Sequence, residues 1–362
     1  MQGDRTLDRR QFVGKVAGGV IATALVSDKT SASPAETGAG APTTAGCDTI
    51  PIASDVFADY QKLLSKRVAG MKKRIGRAIA KPNARPVTLG VYQMRNHCDG
   101  ASGKSRNCRH MIEAIDRAHS QGVQILVFPE MCLPGYFTGV NGTPEAGVTA
   151  AHAMADVVGE SEYLERLRKA AARAEMVICF GFCEKVGADC YFNSAGVVDA
   201  DGRWLGVRRK NPLYPYPYET RPFSEPPREQ RAAVFQTRFG KVGVSICFDG
   251  EFPESVRKMR LEGAELLLWS NAALGDPVLG TTHRQNAAGF HAQANGFWVA
   301  CCNCAAPNSS GMSSIYSPLG EPLVILPPAQ EVIGIATVEL NMTADWSVWK
   351  DRLVTNVESQ VG

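Results

Sequence analysis

A chain of 362 residues with 44% hydrophobic and 21% charged residues has the balance of an ordinary globular protein, long enough for one large domain or two smaller ones. A formal net charge of +3 implies no strongly acidic or basic partner, and no nucleic-acid partner is expected. Away from the termini no apolar run approaches the roughly 18 residues of a membrane-spanning helix, which argues against an integral membrane protein.

The first stretch, Asp8-Arg9-Arg10-Gln11-Phe12-Val13-Gly14-Lys15, precedes a weakly apolar run from Val16 to Val26 that is too short to cross a bilayer. Paired arginines ahead of such a run resemble a bacterial twin-arginine export signal, with Asp8 where Ser or Thr is usual. That resemblance implies export of an already folded protein to the periplasm or the cell exterior; the other reading is a disordered basic tail. Residues 27–46 are rich in Ser, Thr, Ala, Gly and Pro, lack core-forming side chains and read as a flexible linker. Within it, Thr44-Ala45-Gly46-Cys47 resembles a lipoprotein processing site but lacks Leu and stands far from the apolar run. The expected organisation is therefore a signal and linker over 1–46, an extension over 47–86 and one domain over 87–362.

In the extension, Leu64, Val68, Met71, Ile75 and Ile79 recur at three- and four-residue steps and predict a helix over 55–81 with one apolar stripe. Its other face carries Lys62, Lys66, Arg67, Lys72, Lys73, Arg74, Arg77 and Lys81 without an intervening acid. Such a face suits a solvated surface of a docked helix, or peripheral contact with an anionic membrane or partner. The eleven cysteines sit in apolar runs such as Met176-Val177-Ile178-Cys179-Phe180, which suits buried reduced thiols rather than a disulfide framework. Export in the folded state would let such thiols survive delivery to an oxidising compartment.

From residue 87 the pattern becomes regular. Strands are predicted over 87–93 and 123–128, with a helix over 106–120 between them. A helix over 161–175 leads to a strand over 176–183, followed by hairpins over 191–209, turning at Asp201-Gly202, and 233–246, turning around Phe239-Gly240. Helix 253–263 leads to strand 265–270, and helix 283–295 to strand 297–303. Three more strands lie near 312–317, 322–326 and 331–338, and no internal repeat is present. Strands dominate with helices at intervals, so the fold class is α/β, with sheets covered by helices in one domain of about 270 residues.

Chemistry concentrates at three strand ends. Val242-Gly243-Val244-Ser245-Ile246 runs into Cys247-Phe248-Asp249-Gly250, and Pro253 then opens a helix. A side chain at such an elbow faces the backbone N–H groups that follow it, and a cysteine needs only a lowered pKa to be a competent nucleophile. Phe128-Pro129-Glu130-Met131-Cys132-Leu133-Pro134-Gly135-Tyr136 ends another buried strand on a carboxylate, and Arg208-Arg209-Lys210-Asn211-Pro212 ends a third on a lysine. Strand ends that gather at one rim are where α/β sites are built.

These three motifs, in this order, resemble the nitrilase superfamily of carbon–nitrogen hydrolases over about residues 87–340. The resemblance implies a four-layer αββα sandwich, commonly dimerised or further assembled through a helical layer, with no cofactor or metal. It implies catalytic roles for Glu130 as base, Lys210 as stabilising cation and Cys247 as nucleophile. It also implies that Glu219, nine residues beyond the lysine, positions substrate and lysine as in the amidase and carbamoylase branches. The stretch Cys247 to Glu254 is similar to the aliphatic-amidase type, with Phe248 and Glu251 as departures. Phe248, through its backbone N–H, and Asn271, just past strand 265–270, are the further substrate-positioning candidates.

The expected activity is hydrolysis of a small carboxamide through a thioester, giving a carboxylic acid and ammonia or an amine. N-carbamoyl amides and nitriles are alternatives with the same three residues, and an exported ligand-binding protein on this fold is the alternative outside enzymes. Acyl transfer is disfavoured because such relatives carry several membrane helices. Cys301-Cys302-Asn303-Cys304 continues a strand, so alternate side chains face opposite ways and core packing is the expected role rather than a metal site. His283 and His291 share a helix and read as structural or substrate-lining residues rather than metal ligands.

Overall fold

The computed structural model describes residues 54–136, 144–228, 231, 233–273 and 280–342. The twin-arginine segment, the linker and Cys47 lie outside the described residues, as do the side chains of Leu64 and His283.

Strand alternation decides the architecture. Helix α1 (Ser54–Ile79) is followed by β1 (Pro86–Gln93), α2 (Gly100–Ser120) and β2 (Ile125–Val127). Ile125 and Val127 of β2 point into one apolar cluster, whereas Leu126 and the following Phe128 point into another on the opposite face. Helices α3 (Pro144–Ala153) and α4 (Glu162–Arg173) precede β3 (Val177–Val186), β4 (Cys190–Val198) and β5 (Trp204–Arg209). The short α5 (Pro217–Thr220) leads to β6 (Val234–Gln236) and β7 (Lys241–Ile246), then a 3-10 turn over Cys247–Glu251 and α6 (Pro253–Leu261). The chain closes with β8 (Leu266–Ser270), α7 (Gly280–Asn295), β9 (Trp298–Cys302), β10 (Ser314–Tyr316), β11 (Pro322–Ile325) and β12 (Val332–Glu339).

The strands form two mixed six-stranded sheets, in the orders β12-β1-β2-β3-β4-β5 and β11-β10-β9-β8-β7-β6. Each has parallel strands at its centre, β1-β2-β3 in the first and β7-β8-β9 in the second, with antiparallel pairings outside. Leu89, Val91, Val177 and Val197 of the first sheet meet Val242, Val244, Leu268 and Ala300 of the second in one intersheet core. The outer face of the first sheet packs on α2 and α4 through Met111, Ile115, Leu164 and Leu167. The outer face of the second packs on α6 and α7 through Val256, Met259, Ala288 and Ala292. Four layers result, α/β/β/α.

Met71 and Ile75 of α1, 2% and 4% exposed, join the intersheet core beside Leu323 and Leu326 at the edge of the second sheet. Burying these two side chains contributes about 1.5–3 kcal/mol each. The Arg67–Glu321 pair beside them, with both partners partly exposed, adds at most about 1 kcal/mol. Lys62, Lys72, Lys73, Arg74 and Arg77 remain exposed on the other face. No helix among the described residues is long and apolar enough to cross a membrane.

Beyond the short α5, which the sequence reading lacks, two helices differ from it. Helix α2 begins at Gly100 rather than at 106, because Lys104 is drawn inward to the buried Asp156 carboxylate at 2.8 Å and the Met154 carbonyl at 2.9 Å. Tertiary ion pairing thus overrides the loop-like composition Gly100-Ala101-Ser102-Gly103. Helix α3 was not anticipated; its run Ala146-Gly147-Val148-Thr149-Ala150-Ala151 has no clear apolar period and is held by packing of Ala151 against Met131, Leu213 and Phe223.

Candidate active site

Each sheet ends on the site through a backbone turn that points a side chain into it. Beyond β2 the chain leaves the sheet, and Glu130 is fixed by its N–H donating to the Asn271 carbonyl at 3.2 Å. The next residue, Met131, has φ of 51°, which turns the chain sharply after the carboxylate. This turn lies flat on β3 at Gly181, where an added Cβ would stand 2.2 Å from the Met131 nitrogen and 2.7 Å from the Glu130 carbonyl carbon. Gly181→Ala is therefore expected to displace Glu130, costing about 1–3 kcal/mol of stability and roughly a hundredfold in turnover. Parallel measurements of urea unfolding and amide turnover on that variant check both figures.

Cys247 follows β7 with φ of 46°, a left-handed conformation that a side-chain-bearing residue adopts only under constraint. Three contacts impose it. Trp269 Nε1 donates to the Cys247 carbonyl at 2.9 Å, the Asp249 Oδ1 accepts from Ile246 N at 2.6 Å, and the His291 Nε2–H donates to the Gly250 carbonyl at 2.8 Å. Burial lowers the His291 pKa and outweighs the opposing effect of the hydrogen bond to the Gly250 carbonyl. Asp249 is in turn gripped by Arg208 through Nη2 at 2.7 Å and Nε at 3.2 Å, so the elbow of the second sheet is tied to β5 of the first.

Lys210 ends β5 with its side chain 1% exposed. Its ammonium donates to Glu130 Oε1 at 2.8 Å, Glu219 Oε1 at 2.6 Å and Glu219 Oε2 at 2.9 Å. Glu219, 0% exposed on α5, also accepts from Tyr214 N at 2.5 Å through Oε2. Two neutral donors bridge the carboxylates. Asn193 Nδ2 reaches Glu130 Oε1 and Glu219 Oε1, both at 2.7 Å, and Tyr136 OH reaches the same two atoms at 3.2 and 2.9 Å. Glu130 Oε1 thus has three donors, and Oε2 accepts from Ala272 N at 3.0 Å. The Glu130 carboxyl also takes a hydrogen bond from Cys247.

Burial alone would raise the Glu130 carboxyl, but the Lys210 charge and the hydrogen bonds from Lys210 and Asn193 outweigh it and hold it below the ordinary value of 4.5. Burial likewise pulls the Lys210 ammonium down, and the negative charges around it outweigh that and hold it above its ordinary 10.5. Burial and both carboxylates push the Tyr136 phenol up, so it stays a donor. A carboxylate depressed in the folded state adds stability above its unfolded pKa, and loses it as pH falls through the folded value. A raised lysine adds stability below its unfolded pKa, and loses it as pH rises through the folded one. The cluster's contribution is thus expected to be flat between 4.5 and 10.5 and to fall on the acid side below 4.5. Unfolding free energy measured against pH checks this, with Glu130→Gln expected to shallow the acid slope.

The structure therefore brings Glu130, Lys210, Cys247 and Glu219 together. Phe248 follows in the first turn of the 3-10 segment, half-buried, with its ring against Tyr214 and Phe252. Asn271 stands apart in role. It is fully buried, its carbonyl holds Glu130 N, and its amide donates to the Trp269 carbonyl at 2.9 Å. Tyr136 and Asn193 escaped the sequence reading. Tyr136 lies inside the glutamate motif itself, and Asn193 opens the polar pair Asn193-Ser194 within a buried stretch of β4, a signal that could have marked it. Cys301 faces the helical layer and Cys302 the intersheet core, while Asn303 Oδ1 accepts from Ala273 N and Cys304 N, both at 3.0 Å, and ties the loop after β9.

Two mixed six-stranded sheets between helical layers, with this cluster at their strand ends, form the nitrilase fold. The chain belongs to the carbon–nitrogen hydrolase family, whose pattern matches residues 88–348, and is a hydrolase of that superfamily. It is 28% identical to an N-carbamoylputrescine amidase of Arabidopsis thaliana over 258 residues, 66% of this chain and 84% of that protein. It is 32% identical to a nitrilase of Pyrococcus abyssi over 230 residues, 62% of this chain and 80% of that one. A carbon–nitrogen hydrolase from Helicobacter pylori G27 superposes with a TM-score of 0.65 at 22% identity, covering 76% of this chain and 99% of the other, a likeness of fold.

Proposed function

We propose that this hydrolase cleaves the carbon–nitrogen bond of a small carboxamide through a thioester on Cys247. The observation that carries the reading is the buried array of two carboxylates and one lysine beside the Cys247 elbow. Lys210 is shared between Glu130 and Glu219, and the Glu130 carboxylate, ionised beside it, is the base that takes a proton. That carboxylate, which already takes a hydrogen bond from Cys247, accepts the thiol proton as Sγ attacks the amide carbonyl carbon. The oxyanion is stabilised by the Lys210 ammonium and the Phe248 N–H. Protonated Glu130 returns the proton to the leaving nitrogen, the C–N bond breaks, and ammonia or an amine departs from the acyl-thioester. Water then adds to the thioester while giving a proton to Glu130, and that proton passes to the departing thiolate with release of the carboxylic acid.

The second buried carboxylate, Glu219 on Lys210, fits the pattern of the amidase and carbamoylase branches, which favours amides over nitriles. Similarity to the Arabidopsis protein supports one variant of the same chemistry, an N-carbamoyl amide, which releases carbon dioxide along with ammonia. The test is ammonia and carboxylate release from aliphatic amides, aromatic amides, N-carbamoyl amino acids and nitriles. Turnover of nitriles alone, or of none of these by a protein whose Cys247 is fully reactive to alkylation, overturns the reading.

A further inference from the structure

Beside the buried charges the structure carries a connected path of aromatic rings for which the hydrolytic steps have no use. Tyr136, whose hydroxyl bridges Glu130 and Glu219, packs edge-on against Tyr218 with centroids 6.3 Å apart. Tyr218 meets Tyr216 at 5.9 Å and 23°, and Tyr216 stacks on Tyr214 at 4.9 Å and 15°. From Tyr214 the path crosses edge-on to Phe248, the residue after the nucleophile, at 5.1 Å, and from there to Phe252 at 5.2 Å. The rings thus adjoin the reacting centre at two places, Tyr136 and Phe248, and run out to solvent between and beyond them.

Three features mark this path as a recognition surface rather than core. Tyr216 is 51% exposed, and Tyr218 and Phe252 are each 38% exposed, so their apolar faces are left to water in the structure. Prolines alternate with the tyrosines in Tyr214-Pro215-Tyr216-Pro217-Tyr218 and restrict the backbone, so the rings are held in place before anything binds. Three charged side chains close to the rings in the chain are engaged in ion pairs: Glu219 with Lys210, Arg208 with Asp249, and Arg221 with Glu145. Near-parallel neutral rings with the outermost, Tyr216 and Tyr218, exposed are matched by another flat neutral ring, which extends the stack or meets an edge.

We propose that these rings bind the non-reacting part of the substrate and select carboxamides bearing a neutral aromatic group, that is aryl and arylalkyl amides. The proposal rests on the amide-hydrolase reading above and names the substrate class within it. Binding of 3-phenylpropionamide, propionamide and the cationic 4-aminobutanamide to Cys247→Ala protein, followed by calorimetry, tests it without requiring turnover. The phenyl amide is expected to bind at least about tenfold tighter than either of the others. Adding Tyr216→Ala is expected to weaken the phenyl amide roughly five- to tenfold and leave propionamide unchanged, while Tyr216→Phe, which keeps the ring, retains the preference. Equal binding of the phenyl amide and propionamide overturns the proposal. So does tighter binding of the cationic amide, or a preference that survives Tyr216→Ala. Selective binding by a protein whose wild-type form releases no ammonia from the phenyl amide keeps the aromatic subsite and overturns the carboxamide chemistry instead.

Discussion

Replacing Cys247 by serine is expected to leave a folded protein and to cut amide turnover by on the order of 10⁴-fold or more. The side chain changes by one atom at a position 9% exposed, so the elbow made by Trp269, Asp249 and His291 should persist. Reactivity changes far more, because a hydroxyl is a much weaker acid than a thiol and a Glu130 carboxylate held below its ordinary pKa cannot deprotonate it appreciably. Ammonia release and mass spectrometry of the acyl adduct check the expectation together. The adduct should map to Cys247 in the wild type and be missing in Cys247→Ser. Core thiols should not substitute for it: burial raises Cys179 and Cys183 to about 12, and raises Cys132, Cys302 and Cys304 as well. A serine variant with more than about a tenth of wild-type turnover would place the nucleophile elsewhere.

Lys210→Met is expected to have the largest effect on stability. The lysine is the cation between Glu130 and Glu219, whose Oε1 atoms are already close enough to share Asn193 Nδ2 and the Tyr136 hydroxyl. Removing its charge leaves two adjacent carboxylates in a site about 1% exposed, at a cost of about 3–5 kcal/mol. One carboxyl should then bind a proton, so the variant's stability should improve as pH is lowered towards the carboxylate range, opposite in sign to the wild type. Adding Glu219→Gln removes one of the two charges and should recover much of the stability, with turnover still abolished. Urea unfolding of the two single variants and the double variant gives the coupling directly. A Lys210→Met protein as stable as the wild type at neutral pH would mean that the lysine is not what holds the carboxylates together.

The three strand-end motifs were legible because each places a thiol, a carboxylate or an amine directly after a β-rich run, at the end of a rigid element. Glu219 was less so, since the prolines on either side of Tyr216 hide its register. The structure settles its placement by a four-residue helix with Pro217 in its first turn, from which the carboxylate turns wholly inward. Phe248 was read for its backbone N–H, yet its ring proves to be a link between Tyr214 and Phe252. Asn271 was read as a pocket residue, and its contacts are with the backbone that carries Glu130 and Trp269.

By itself the sequence determined the strands and most helices, because alternation and apolar period are local properties of the chain. It also marked Cys247, Glu130 and Lys210 as candidates, because residue type and position at a strand end are read directly from the chain. Only the tertiary structure decided that β12 pairs with β1 through Glu339 and Pro86, that Lys104 draws the start of α2 inward, and that Asn193 and Tyr136 bridge the two carboxylates. Those outcomes depend on groups far apart in the chain satisfying one another's charges and hydrogen bonds once water is excluded. Such matching leaves no periodic trace in the sequence, because either partner alone is only a polar residue in an apolar run.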